Sequence, residues 1–238
     1  MKIALIGYGR MGKEIEKIAI SRNHQVIVKI DSLEDWEKYK SEFNNADIAI
    51  EFSFPACAVE NFMKCFAADI PVITGTTAWY NDLEKVKKIC LDNNQSMLFA
   101  TNFSIGVNIL FELNNRLSLV MNKHNNYDVS IEEIHHKNKL DAPSGTAITL
   151  ANDIIKNVDR KNKWVNHLSD DINDLSIKSI REENTTGTHS IKYDSEIDYL
   201  EIKHSSKSRK GFALGAVIAA EWLIGKTGFY EMKDVLFK

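Results

Sequence analysis

Only three cysteines are spread through 238 residues. Cys57, Cys65 and Cys90 form no C-x-x-C pair and are odd in number. That argues against a disulfide framework or a metal site and for buried thiols in a reducing compartment. An excess of one charge is missing too. Thirty Lys and Arg against 33 Asp and Glu leave a net charge of −3, which disfavours a nucleic-acid or acidic-membrane partner. Long apolar runs are absent. The longest, Phe212 to Ile224, is interrupted by Glu221 and falls short of a membrane span. The apolar start Ile3 to Ile6 is too short for a signal peptide and leads straight into Gly7-Tyr8-Gly9-Arg10. No internal repeat or low-complexity tract is present. What is there, 44% hydrophobic and 26% charged residues, is ordinary for a soluble protein with a real core. The expectation is a cytoplasmic protein of one large domain or two small ones.

The most informative stretch runs from Glu133 to Thr146: Glu-Ile-His-His-Lys-Asn-Lys-Leu-Asp-Ala-Pro-Ser-Gly-Thr. His135, His136 and Lys139 are residue types that move protons or bind carboxylates. Pro143 fixes its φ and Gly145 frees the backbone just before a helical run, Ala147 to Val158. Exposed N–H groups at that helix start suit an anionic substrate. Proton donors beside an anion cradle indicate an active site, although two adjacent histidines alone are often a surface feature.

The first hundred residues alternate short apolar runs with helical periodicity. Lys2 to Ile6, Gln25 to Ile30, Ala46 to Phe52, Pro71 to Thr74 and Met97 to Ala100 read as strands. Arg10 to Ile20, a face marked by Ala58, Val59, Phe62, Phe66 and Ala67, and Asn81 to Asn93 read as helices. Such alternation implies an α/β fold with a parallel sheet and ligands beyond the carboxyl ends of its strands. Gly7-Tyr8-Gly9-Arg10-Met11-Gly12 is a G-x-G-x-x-G between a strand and a helix, the setting in which it holds a dinucleotide. Asp31, ending the second strand, stands where an acid meets the adenosine ribose. Alternatively, Asp31 or Ser32 caps a helix starting near Leu33, with Glu34 or Asp35 completing a capping box; the two roles are compatible. An acid there repels a 2′-phosphate, so NADH is expected to be preferred over NADPH.

After Ser104 the alternation stops. Ile105 to Val120 reads as a helix, and a strand through Val129 and Ile131 delivers His135 and His136. Ile177 to Arg181, Ser190 to Tyr193 and Tyr199 to His204 are further strands, and Lys161 to Asp174 is expected to be a loop. Strands without intervening helices suggest a mostly antiparallel or mixed sheet forming a second, α+β domain. Phe212 to Ile224 is an apolar helix that packs back on the first domain. His189 and His204 read as structural hydrogen-bonding residues, and His135, His136 and Cys57 make no convincing zinc site.

Several motifs, in order, resemble the bacterial 4-hydroxy-tetrahydrodipicolinate (dihydrodipicolinate) reductase family. They are the glycine loop, Thr74-Gly75-Thr76-Thr77, Asn102-Phe103-Ser104-Ile105-Gly106-Val107 and the tract Glu133 to Ala147. Arg181, Gly187-Thr188-His189, Ser208-Arg209, Phe212-Ala213, Gly215-Ala216 and the tail Gly228 to Leu236 follow. The resemblance spans nearly the whole chain, and the His-His-x-x-Lys-x-Asp-Ala-Pro-Ser-Gly-Thr tract is its most specific part. It implies a Rossmann-type cofactor domain, residues 1–105 with 210–238, and a substrate-binding and tetramerisation domain, residues 106–209. It also implies reduction of a cyclic dicarboxylate to tetrahydrodipicolinate by NADH or NADPH, with loss of water, in a homotetramer.

Carried over by position, the resemblance makes His135 the proton donor or acceptor and Lys139 the second donor. His136, Gly145 and Thr146 would bind substrate. Gly75, Thr76 and Thr77 with Ala100, Thr101, Asn102 and Phe103 would line the nicotinamide end of the cofactor; no metal is implied. The sequence departs from the family at Thr101 (usually proline), Ala78 and Glu183 (usually glycine), and in a trimmed segment after Asp31. The rival expectations are another two-domain oxidoreductase, such as a diaminopimelate or sugar dehydrogenase, and a non-catalytic NADH-sensing module.

Overall fold

The computed structural model describes residues 1–137, 139–183 and 185–238. Its contacts gather into two compact units, Met1–Ile105 with Arg209–Lys238, and Gly106–Ser208.

The first unit is built on a six-stranded parallel sheet. In chain order its elements are β1 (Lys2–Ile6), α1 (Arg10–Ser21), β2 (Gln25–Ile30), α2 (Leu33–Lys38), α3 (Lys40–Phe43) and β3 (Ile48–Glu51). There follow α4 (Pro55–Ala67), β4 (Val72–Thr74), a 3₁₀ turn (Tyr80–Asp82), α5 (Leu83–Asp92) and β5 (Ser96–Phe99). Successive side chains of a strand point to opposite faces. Ile3 and Leu5 therefore enter one apolar layer, and Ala4 and Ile6 enter another. Ile15 and Ala19 of α1 cover the first layer; Phe62 and Phe66 of α4 with Val86 and Cys90 of α5 cover the second. Burial on both faces is why these strands read as continuous apolar runs rather than alternating ones.

The second unit contains α6 (Ile105–Met121, entering from the first unit), β6 (Asp128–His136), α7 (Gly145–Asn157), β7 (Lys163–Val165), β8 (Asp174–Glu182), β9 (Thr188–Asp194) and β10 (Tyr199–Ser205). Its sheet runs β10-β9-β6-β8-β7. It is mixed: β6 pairs parallel with β8 and β8 with β7, while β9 is antiparallel to β6 and β10 to β9. One face, carrying Val129, Ile131, Leu175, Ile177, Ile191 and Tyr193, packs on Leu150, Ala151 and Ile154 of α7.

The chain then returns to the first unit through α8 (Lys210–Leu223), β11 (Gly228–Glu231) and α9 (Met232–Phe237). Ala213, Ala216, Val217 and Ala220 of α8 join the layer that holds Ile3 and Leu5. β11 extends the sheet to the order β11-β5-β4-β3-β1-β2. It was not anticipated as a strand, being four residues at a sheet edge.

The supposed loop Lys161 to Asp174 also needs correcting, since it contains β7. Lys161 there is 2% exposed. Its ammonium donates to the carbonyls of Ile172 (2.8 Å) and Asp174 (2.7 Å) and pairs with Asp128 at 2.7 Å. Among the described residues no helix is long and apolar enough to cross a membrane. The three cysteines are free; Cys65 and Cys90 are buried as expected, but Cys57 is only half-buried.

Candidate functional site

In the first unit the strand order reverses between β1 and β3, and a cavity of about 810 Å³ lies at the carboxyl ends of β1 to β4. Such a reversal opens a crevice between the loops that leave neighbouring strands in opposite directions. The glycine loop brings Gly7, Gly9, Arg10 and Met11 to the cavity, and Asp31 and Ser32 arrive from the end of β2. Gly75, Thr76 and Thr77 close the far side.

Gly7 has φ +88°, and a Cβ on it would lie 2.1 Å from the carbonyl oxygen of Phe52, so no other residue makes this turn. Gly9 is the opposite case: among the described residues nothing lies within 4 Å of where its Cβ would be. It caps α1 without a side-chain bond, and the first turn of α1 carries no acid. Open backbone at a helix start that lacks its own anion is what a pyrophosphate requires. These residues fit a dinucleotide.

Other predicted cofactor residues lie outside the lining. Tyr8 turns its hydroxyl to Glu16, with Lys29 donating to it at 3.1 Å, and Gly12 is buried in α1. Ala100 and Phe103 are 7% and 2% exposed, and Phe103 packs on Phe52 with ring centroids 5.5 Å apart. Thr101 is exposed, and Asn102 accepts the Ser104 N–H at 2.8 Å.

The lining also includes Trp36 and Cys57, to which sequence reasoning gave no cofactor role, and Phe54, in a loop beyond the carboxyl end of β3 where ligand was expected. Beneath them is Glu51, wholly buried, accepting from Ser53 N (3.1 Å), the Ser53 hydroxyl and Thr74 Oγ1 (2.5 Å). This carboxylate ties the loops after β3 and β4 together. Its signal was an acid closing the apolar run Ile48-Ala49-Ile50.

In the second unit, β6 carries Val129, Ile131, Glu133 and His135 on one face. The first two belong to the apolar core; the last two continue the same buried face with polar groups, at 0% and 8% exposure. Register supplies their neighbours. His189 of β9 lies opposite Glu133, and Arg181 of β8 opposite His135.

Glu133 Oε1 accepts from Ser144 N and Arg181 Nη2, both at 3.2 Å. Oε2 lies 3.1 Å from His135 Nδ1 and 3.8 Å from His189 Nε2. The contact with His135 is an ion-pair approach too bent for a hydrogen bond, and among the described residues neither atom has a hydrogen-bond partner. Burial pushes the Glu133 carboxyl up, but the approach of His135 and the hydrogen bond from Ser144 outweigh it and leave it well below the usual carboxylate range. His189 goes the other way. Burial, with the charge on His135 next, lowers its imidazole to about 3, so it is neutral. It shares a hydrogen bond with the Ser144 hydroxyl (3.0 Å) and meets the His135 ring edge-on at 5.0 Å.

Donor atoms of Glu133, His135 and His189 lie within 4.8 Å of one another, a spacing that a small cation could span. Arg181 and Ser144 already engage the same carboxylate, and Ser144 the same imidazole. The donors work as a hydrogen-bonded cluster.

His136 follows on the opposite face of β6, its Nδ1 buried and without a hydrogen-bond partner among the described residues. Lys139 is held by both oxygens of Asp141 at 2.8 Å; Asn138 between them lies outside the described residues. α7 starts at Gly145 rather than Ala147, capped by Ser144, whose hydroxyl accepts the Ala147 N–H at 3.2 Å. Gly145 and Thr146 form the first turn, and among the described residues Gly145 has nothing within 4 Å of a would-be Cβ. The structure thus joins His135 to residues that were not assigned a role, Glu133, Ser144 and Arg181, and to His189, expected to be only structural. An acid at a core position of an alternating strand was the available signal.

The family models for the N-terminus and C-terminus of dihydrodipicolinate reductase match residues 1–103 and 106–236. The chain is 48% identical over 236 residues to a 4-hydroxy-tetrahydrodipicolinate reductase from Christiangramia forsetii, covering 99% of this chain and 98% of that one. It is 34% identical over 198 residues to one from Neisseria meningitidis serogroup A, covering 80% and 72%. The fold is similar to that of a dipicolinate-bound dihydrodipicolinate reductase from Paenisporosarcina sp. TG-14, with a TM-score of 0.77 at 21% identity and 97% of each chain covered.

Proposed function

The chain belongs to the dihydrodipicolinate reductase family, and we propose that it reduces 4-hydroxy-tetrahydrodipicolinate to tetrahydrodipicolinate in lysine and diaminopimelate synthesis. The observation that carries this reading is His135, in the tract most specific to that family, paired with a buried ionised carboxylate beside the start of α7.

We assign the cofactor to residues 1–105 with 210–238 and the substrate to residues 106–209. The glycine loop, Asp31 and the loop Gly75 to Thr77 would hold the nicotinamide nucleotide, which supplies the hydride when bound. NADH is preferred in this reading. The N–H groups of Asp31 and Ser32 already donate to Asp35 Oδ2, each at 2.9 Å. A 2′-phosphate there would meet two carboxylates and amides that are taken.

His135 gives a proton to the ring carbon left electron-rich when the conjugated imine, formed by loss of the 4-hydroxyl as water, is reduced, the work that an imidazole does near neutrality. Lys139, His136 and the first turn of α7, at Gly145 and Thr146, bind the substrate's two carboxylates. We place the enzyme in the cytoplasm as a homotetramer joined through the second unit, whose exposed Leu113, Leu119, Ile197 and Leu200 favour association.

The test is absorbance at the NADH band with substrate generated by the upstream synthase from pyruvate and aspartate semialdehyde. Oxidation of NADH that depends on the synthase is expected. Binding of NADH without turnover would defeat the reading.

A further inference from the structure

We propose that Glu133 is the positioning residue that fixes the tautomer of His135. The inference rests on His135 being the proton donor and adds the group that makes it one.

The two oxygens of Glu133 have different work. Oε1 is committed to two donors, Ser144 N and Arg181 Nη2. Oε2 is left for the imidazoles, 3.1 Å from His135 Nδ1. A carboxylate only accepts hydrogen bonds, so the hydrogen of a neutral His135 ring belongs on Nδ1. His189, the other imidazole beside Oε2, is neutral and shares its Nε2 with Ser144, so it does not compete for the charge. Arg181 is engaged with Oε1, and Lys139 is paired with Asp141. The 3.1 Å approach is too bent for a hydrogen bond without substrate, and catalytic contacts of this kind tighten once substrate is bound.

Nε2 is thereby the atom that exchanges protons. It faces Gly187, where a Cβ would lie 3.0 Å away. When the charged ring acts as an acid, the Nε2–H bond breaks, its electron pair stays on nitrogen and the proton goes to the substrate carbon. Nδ1 keeps its hydrogen toward Glu133, the ring ends neutral and the carboxylate stays ionised.

Replacing Glu133 by Gln keeps the shape and reverses the instruction. The Gln carbonyl is retained by Ser144 and Arg181, so its NH₂ group takes the place of Oε2 and donates to His135 Nδ1. The neutral ring is then forced into the Nε2–H form, and the charged ring loses its partner.

The experiment is ¹⁵N NMR of the His135 ring together with steady-state kinetics for wild type, Glu133→Gln and Glu133→Asp. The neutral wild-type ring should be the Nδ1–H tautomer, and the Gln variant should switch to Nε2–H. Its kcat should fall by roughly 10²- to 10⁴-fold, with KM and NADH affinity within about threefold of wild type. The Asp variant, which keeps the charge on a shorter arm, should retain more kcat than the isosteric Gln variant; a purely packing role predicts the reverse order. An Nε2–H tautomer in the wild type overturns the proposal even if neither variant folds, as does a fully active Gln variant. An Nδ1–H wild type that turns over no substrate upholds the pairing and defeats the function.

Discussion

The backbone N–H of Tyr8 donates a 2.7 Å hydrogen bond to Asp31 Oδ1, fastening the glycine loop after β1 to the acid that ends β2. One oxygen of Asp31 therefore holds the loop; in the function proposed above, the other takes a ribose hydroxyl. Asp31→Asn can keep the first bond through its amide oxygen but loses the charge. Hydrogen bonds to a charged acceptor contribute about 1.5–3 kcal/mol, so kcat/KM for NADH should fall by about tenfold or more. The value for NADPH should hold or rise, since the repulsion of its phosphate is relieved. Steady-state rates with both cofactors check this; unchanged selectivity would remove Asp31 from cofactor choice.

Ala78 has φ +64°, a left-handed conformation that costs a residue with a Cβ about 1–2 kcal/mol. The neighbouring turn is independently held, because Trp79 Nε1 donates to the Thr76 carbonyl at 2.8 Å. Ala78→Gly should relieve the strain. Part of the gain is offset by the greater freedom of glycine in the unfolded chain, leaving a net stabilisation of about 0.5–1 kcal/mol. Urea unfolding should show a higher midpoint with an unchanged slope.

The strand–helix alternation was legible in the first unit because burying both faces of a parallel strand writes an unbroken apolar run, as in Lys2–Ile6. β7 was not, since it is only three residues long, Lys163-Trp164-Val165, at the sheet edge, and its anchor, Lys161, is a charged residue that burial statistics assign to the surface. The candidate site was legible where the chemistry is local, as in the tract from Glu133 to Thr146. It was not where contacts come from register: nothing in the spacing of residues 133, 181 and 189 says that β8 and β9 flank β6. The alternation Val129, Ile131, Glu133, His135 did contain the clue. A carboxylate at the third core-facing position needs buried partners, and only pairing of the strands names them.

His189 has a second consequence, for stability. Its imidazole titrates at about 3 in the folded protein, chiefly because it is buried, against an ordinary value of 6.5. The unfolded chain therefore takes up this proton first. The contribution to stability is present above pH 6.5 and is lost progressively as pH falls toward 3. Between pH 7 and 5 the loss from this one residue is roughly 2 kcal/mol. Glu133, also depressed, adds its own loss only below the ordinary carboxylate range. His189→Gln should flatten the pH dependence of urea stability between 7 and 5. An equally steep variant would show that His189 is not the group responsible.

Gly187 offers a way to move His135 without touching its charge partners. Its φ is +155°, its carbonyl accepts the Ser206 N–H at 2.8 Å, and a Cβ would sit 3.0 Å from Nε2 and 3.2 Å from Cδ2 of His135. Gly187→Ala must displace either this backbone or the ring. The ring cannot retreat freely, because His189 packs against it and Glu133 holds Nδ1. The contact asks for a shift of a few tenths of an ångström; since a 1 Å misplacement can cost about 10²-fold in rate, kcat should fall several-fold. Affinity for NADH, assigned to the other unit, should be unchanged by fluorescence titration. The Nδ1–H tautomer should persist, because Glu133 is intact, and that separates loss of aim in this variant from loss of tautomer in Glu133→Gln. Normal turnover in Gly187→Ala would mean that Nε2 is not the atom that meets the substrate.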